Sequence, residues 1–148
     1  MGYTDAPPGW WQEFVRSTAR PAVLAVTRLD GSPHAAPVWV DVDTDPDGAD
    51  VVVFTTHRDT IKGKSIVRDG RVCLTVDDDA PPFSFVMLAG RATVSEDPDD
   101  LRYWAGRLGG RYMGAHRAAE YGARNGVPGE LVVRLRPDTV VAKLDVAE

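Results

Sequence analysis

At 148 residues, with 43% hydrophobic and 26% charged side chains, the chain has the composition of one globular domain able to bury most of the surface its unfolded form exposes. No apolar run approaches the roughly 20 residues that span a bilayer, which argues against a membrane partner, and a net charge of −5 argues against nucleic acid as the main partner. A single cysteine, Cys73, excludes an intrachain disulfide, and the N-terminal MGYTDAPPGWWQEF lacks a basic stretch followed by an apolar one, so a cytoplasmic location is expected.

Behind Pro7 and Pro8, Trp10 to Ser17 mixes apolar and polar residues at helical spacing and predicts a short leading helix. From Ala22 the pattern becomes β-rich. AVLAVTRL, HAAPVWVDV and DVVVFTT follow one another with Asp30-Gly31 and Asp47-Gly48 as turn signals, and they predict an antiparallel meander. Thr60 to Arg68 predicts one short helix, capped by Asp59 or Thr60 and stopped by Asp69-Gly70. RVCLTVD reads as a strand buried on both faces, which would place Cys73 in the core, and PFSFVMLAGRATVS reads as a long alternating strand. Glu96 to Leu108 predicts a helix with Leu101, Trp104, Ala105 and Leu108 on one stripe, a break at Gly109-Gly110, and a further helix over Ala115 to Arg124. ELVVRLRP and TVVAKLDV close the chain as two segments bent at Pro137-Asp138. The expected fold is mainly β with helical insertions: a single domain over residues 1–148, six or more antiparallel strands, the last returning to the first meander to close a small barrel without edges.

Within this acidic chain, Thr55 to Arg71 holds five cations (Arg58, Lys62, Lys64, Arg68 and Arg71) against two carboxylates, crowded around the start of the predicted helix. A helix N-terminus offers unpaired N–H groups and a partial positive charge, Lys62 adds a full one, and Thr55 and Thr56 can donate to phosphate oxygens. The segment reads as a phosphate-docking turn; the competing reading is a solvated basic helix face. Asp43-Thr44-Asp45-Pro46-Asp47-Gly48 imitates the opening of a calcium loop, but the twelfth position is Phe54 and the flanks are strands, so it reads as a hairpin loop. Asp77, Asp78 and Asp79 read as a strand-ending turn that can face a cofactor edge. His34, His57 and His116 have no partners at metal spacing, and no serine or cysteine sits in a nucleophile motif. An anion anchor, aromatic residues such as Trp39, Phe83, Phe85 and Trp104, and no evident catalytic side chain together favour chemistry carried by a bound cofactor.

Leu24-Ala25-Val26 leading to Asp30-Gly31-Ser32-Pro33-His34, then Pro37-Val38-Trp39, Val53-Phe54-Thr55-Thr56, Thr60-Ile61-Lys62-Gly63-Lys64, Val76-Asp77-Asp78 and Gly90-Arg91-Ala92 stand in a distinctive order. In that order they resemble the split β-barrel flavin and deazaflavin oxidoreductases, the pyridoxamine-phosphate-oxidase-like superfamily. Arg111-Tyr112-Met113-Gly114 and the run Tyr121 to Glu130 are similar to its branch that uses coenzyme F420. The resemblance implies a split β-barrel of the FMN-binding type and a homodimer with two cofactor sites at its interface. It implies that the turn at Thr60, Ile61, Lys62 and Lys64 holds the cofactor phosphate, with Lys62 foremost and Thr55, Thr56 and Thr60 assisting. Ala36, Pro37, Val38 and Trp39 would lie along the ring, with Val38 or Trp39 donating because Pro37 has no N–H. Flavin-using relatives tend to carry Ser-Arg-Lys where Thr60-Ile61-Lys62 stands. Ile61 therefore removes a cation and suits a cofactor with a long anionic tail, for which Lys64, Arg58 or Arg68 would supply diffuse charge. The implied activity is an F420H2-dependent reductase passing hydride to an unsaturated small-molecule substrate, its acceptor pocket lined by Trp10-Trp11 and the region from Trp104 to Asn125. An FMN-binding oxidoreductase, or a non-catalytic carrier of a deazaflavin or tetrapyrrole, is the alternative.

Overall fold

The computed structural model describes residues 4–147; residues 1–3, part of the segment read for export, and Glu148 lie outside them. A short strand β1 (Thr4–Asp5) precedes helix α1 (Trp10–Ser17), and strands β2 (Ala22–Thr27), β3 (Pro33–Val38), β4 (Asp41–Thr44) and β5 (Asp50–His57) follow. Helix α2 (Ile61–Asp69) leads into β6 (Arg71–Asp77) and β7 (Phe85–Ser95). Helix α3 (Pro98–Met113), a 3-10 turn at Ala115–Arg117 and helix α4 (Ala118–Asn125) then precede the long β8 (Glu130–Leu144). The strands pair antiparallel in the order β3-β2-β6-β7-β8-β5-β4, with β1 beside the end of β8. This is the mainly β architecture with helical insertions that the sequence predicts.

The predicted meander is corrected. HAAPVWVDV divides at Trp39 and Val40: β3 pairs with β2, whereas β4 pairs with β5 at the other end of the strand order. The division arises because the Val40 N–H donates not to a ladder carbonyl but to Tyr112 Oη, 3.0 Å away, and Val40, Asp41 and Val42 are all buried, which breaks the period of two. As β3 and β4 end the strand order without pairing to each other, the barrel is split at this corner rather than closed, so the expectation of a barrel without edges is also corrected.

The barrel interior is filled by Leu24, Phe54, Leu74, Leu88 and Leu135, all at 0% exposure. Burying each contributes roughly 1.5–3 kcal/mol. A second cluster lies outside the sheet, where Leu101, Trp104 and Leu108 of α3 cover Val51, Val53 and Val132. Helix α1 adds Trp11, Phe14 and Val15 to the first cluster.

Three local expectations change. The strand β6 alternates between buried and partly exposed residues, so only one face is covered, and Cys73 is half-buried on the outer face instead of in the core. Helix α3 does not break at Gly109-Gly110 but runs to Met113. Those glycines are packing sites, since a Cβ on Gly109 would stand 2.2 Å from Tyr121 Cβ in α4. The final segments form one continuous strand, and the bend at Pro137-Asp138 is a β-bulge: Gly90 pairs with Pro137 and Ala89 with Thr139, leaving Asp138 unmatched.

Candidate functional site

Where β3 ends at the split corner, β5 delivers its last residues and α2 begins, the surface opens into a cleft of about 520 Å³. Pro37, Val38 and Trp39 form one wall, Thr55, Thr56 and His57 another, and Thr60 and Lys62 close the end, with Pro21 at the rim. Thus the fold brings together residues separated by over twenty positions in sequence.

Thr60 is the N-cap of α2: its Oγ1 accepts the Gly63 N–H at 3.0 Å and donates to the His57 carbonyl at 2.7 Å. Gly63 is required here because a Cβ would lie 2.2 Å from that same carbonyl oxygen. Thr56 Oγ1 is 3.1 Å from Thr60 Oγ1. As the single Thr60 proton goes to His57, Thr56 is the donor of this pair, and both hydroxyl protons are spent inside the turn. Among the described residues the cleft therefore keeps as free donors the Thr55 hydroxyl and the Lys62 ammonium and N–H, and beside the cleft, at the same helix start, stands the Ile61 N–H; α2 supplies no acceptor for either first-turn N–H. That donor set, carried on the positive end of a nine-residue helix, suits an oxyanion.

The opposite wall is held from behind. The Trp39 ring stacks on Tyr112 at 5.1 Å with an interplanar angle of 5° and meets Tyr121 edge-on at 5.8 Å. The Tyr112 hydroxyl donates to the Arg20 carbonyl at 2.6 Å, and Arg111 donates to the carbonyls of Arg16 and Thr18 at 3.0 and 3.1 Å, satisfying the last turn of α1. Buried Asp41 accepts from Arg107 Nε at 2.9 Å, and this bond holds the guanidinium above its ordinary range.

Of the residues expected at a cofactor site, Pro37, Val38, Trp39, Thr55, Thr56, Thr60 and Lys62 line the cleft. Ala36, Arg58, Ile61, Lys64 and Asp77 do not. Ala36 pairs with inward-facing Leu24; Arg58 turns to Glu96 at 3.2 Å; Ile61 and Lys64 are exposed on α2; and Asp77 is exposed at the end of β6, opposite Phe85. Its neighbour Asp78 is paired with Arg20 at 2.8 Å. Trp10 and Trp11 pack against the core, and Trp104 is buried beneath α3, away from the cleft. His57 and Pro21 are cleft residues that motif spacing misses. His57 Nδ1 accepts the Asp59 N–H at 3.1 Å, so the neutral ring carries its proton on Nε2; its place at the end of a strand running into the basic turn was the available signal. The acidic hairpin, expected from the failed calcium pattern, is closed by the Asp45 N–H to Ala49 O at 2.8 Å.

The fold and the cleft define a split-barrel protein of the flavin and deazaflavin oxidoreductase type. A family model described as pyridoxamine 5'-phosphate oxidase matches residues 11–144, and the chain belongs to this family. Among solved structures, a conserved hypothetical protein of Mycobacterium tuberculosis aligns with a TM-score of 0.73 and 21% identity over 91% of this chain and 82% of its own. An F420 reductase aligns with a TM-score of 0.67 and 22% identity over 91% and 98%. A FAD-binding protein of Mesorhizobium loti gives 0.65 and 14% over 97% and 96%. No curated protein matches the sequence. Among the described residues no helix is long and apolar enough to cross a membrane.

Proposed function

We propose that the chain is a reductase that uses the reduced deazaflavin coenzyme F420 to reduce an unsaturated organic small molecule, and that it works as a cytoplasmic homodimer. The observation that carries the reading is the union, in one cleft, of a helix start with free N–H donors and Lys62 and a largely apolar wall of Pro37, Val38 and Trp39. The helix start fits a phosphate, and the wall fits a planar ring. Lys62, the Ile61 and Lys62 N–H groups and Thr55 would hold the phosphate, while Thr56 and Thr60 keep the turn in shape. Bound deazaflavin supplies a two-electron hydride carrier; the chain's own part is to bind, orient and exclude water. One lysine in the first turn, with uncharged Ile61 beside it, favours F420 over FMN, and so does the similarity of the Tyr112 and Tyr121 segments, which brace Trp39, to the F420-using branch.

The outer face of the sheet supports the homodimer. Val23, Ala25, Pro37, Thr75, Met87 and Val141 lie side by side across five strands, with Val23 at 47% exposure. Such a continuous apolar face is the kind that a partner covers. Because Pro37 belongs both to it and to the cleft, a second copy seated there would wall the cleft's open side.

Titration of the purified protein with F420 and, separately, FMN, followed by fluorescence, tests the reading. Preferential F420 binding together with oxidation of F420H2 by an enone or quinone acceptor is the expected result. Preferential FMN binding would transfer the site to a flavin oxidoreductase, and tight F420 binding with no acceptor reduced would make the protein a carrier.

A further inference from the structure

A second cavity, of about 320 Å³, lies between the first turn of α3 and the loop that joins α4 to β8, with Arg58 at its edge. Pro98 and Leu101 from the helix and Val127 and Pro128 from the loop make it predominantly apolar. The loop is seated by two glycines. A Cβ on Gly126 would come 2.8 Å from Arg102 Cα, and Gly129 takes a φ of +98° with the His57 ring against it, 2.7 Å from where a Cβ would stand. No other residue type allows both close approaches, so the cavity is a built feature of the α3, α4 and β8 junction.

Three charged side chains reach it: Arg58, Glu96 and Glu130. Arg58 and Glu96 pair with one another at 3.2 Å and offset each other. The Glu130 carboxylate accepts no hydrogen bond and joins no ion pair among the described residues; the His57 imidazole, on the strand paired with it in register, is the titratable neighbour that acts on it. Burial pushes the Glu130 carboxyl above its ordinary range. A carboxylate that is partly desolvated and unpartnered is costly, and a cation delivered into the same apolar surroundings relieves that cost.

We propose that this cavity is a binding site for a small organic amine in its ammonium form, with the charge on Glu130 and the apolar body against Leu101, Pro98 and Val127. Neither the family nor the cleft at Lys62 requires such a site, and the inference does not depend on which cofactor that cleft takes. Arg58 borders the cavity and also holds its loop, since its N–H donates to the Gly129 carbonyl at 2.9 Å.

The test is a two-dimensional NMR titration of the isotopically labelled full chain with benzylamine and with its neutral isostere benzyl alcohol, following the amides of Leu101, Val127, Gly129 and Glu130. Benzylamine is expected to give saturable shifts confined to these amides. Benzyl alcohol on the native chain, and benzylamine on Glu130→Gln, are each expected to bind about fivefold more weakly, the size of one partly exposed charge pair. Val127→Trp, a change on an exposed loop that blocks the mouth without touching the core, should abolish the saturable response to both probes. Equal affinity for the amine and the alcohol overturns the proposal, as do shifts that never saturate or an amine response that survives Val127→Trp.

Discussion

Lys62 and Thr60 are two positions apart, yet their substitutions should act on different quantities. Lys62 is a partly exposed residue that lines the cleft and does not belong to the hydrophobic core. A charge-assisted bond to a phosphate contributes about 1.5–3 kcal/mol, so Lys62→Ala should raise the F420 dissociation constant roughly tenfold to a hundredfold, read by fluorescence titration. Its unfolding midpoint should stay close to that of the native chain; unchanged affinity would remove Lys62 from the site. Thr60 spends its hydroxyl on the His57 carbonyl and the Gly63 N–H. Thr60→Val should therefore destabilise the fold by about 1 kcal/mol through loss of the cap, whereas Thr55→Val should weaken ligand binding with little change in stability. Denaturant midpoints for the two variants, measured beside their affinities, separate the roles. Lys62 at the helix start was legible in the sequence and the cap was narrowed to Asp59 or Thr60, because both follow from the local chemistry of a helix start; the folded turn decides for Thr60. The proton count at Thr56 was not legible, since it depends on a 3.1 Å contact that only the folded turn creates.

Helix α3 shows how a local rule yields to packing. Alanine is favoured over glycine in a helix interior by about 1 kcal/mol, which would make Gly109→Ala stabilising. Against that, the new methyl would stand 2.2 Å from Tyr121 Cβ, and overpacking of this kind costs typically 1–3 kcal/mol. The clash should win, lowering the denaturation midpoint, and because Tyr121 also touches Trp39 the variant should bind cofactor less tightly. A Gly109→Ala chain more stable than the native one would contradict this account. Helix α3 is also tied to β8 by a two-bond pair, Arg134 to Asp100 at 2.7 and 2.8 Å. The Arg134 hydrogen bonds hold the Asp100 carboxyl below its ordinary 3.8. A carboxyl lowered by folding contributes stability that is complete above its unfolded value and is lost as pH falls through the folded one. Thermal midpoints of the native chain should accordingly drop on acidification below about pH 4 more steeply than those of Asp100→Asn, measured over the same series. The helix itself was visible in the spacing of Leu101, Trp104, Ala105 and Leu108. Its continuation to Met113 was hidden, because a glycine pair reads as a break unless the residue that needs the space, Tyr121, is known.

Across the whole molecule, the cleft and the outer apolar face meet at Pro37, so the proposed homodimer would couple cofactor binding to assembly. Val23→Lys puts a charge in the middle of that face at a position already 47% exposed, so the single chain should still fold. Sedimentation velocity is expected to show the native protein as a dimer and Val23→Lys as a monomer, with F420 affinity falling in step. A native monomer at micromolar concentration, or a variant monomer with undiminished affinity, would detach assembly from the site.

Composition, alternation and turn signals were enough to determine a mainly β domain with interspersed helices and a basic turn beside a helix N-terminus. Those properties arise from neighbours within a few positions, where hydrogen bonding and side-chain direction repeat along the chain. The tertiary structure alone decided that HAAPVWVDV serves two ends of the sheet, that Cys73 faces outward and that Arg58 turns away from the basic turn toward Glu96. Each of these is set by a partner far off in sequence: Tyr112 for the split corner, the one-sided packing of β6 for Cys73, and α3 with its approach for Arg58. Long-range partners leave no periodic trace in a single sequence, because the residues that meet obey no common spacing.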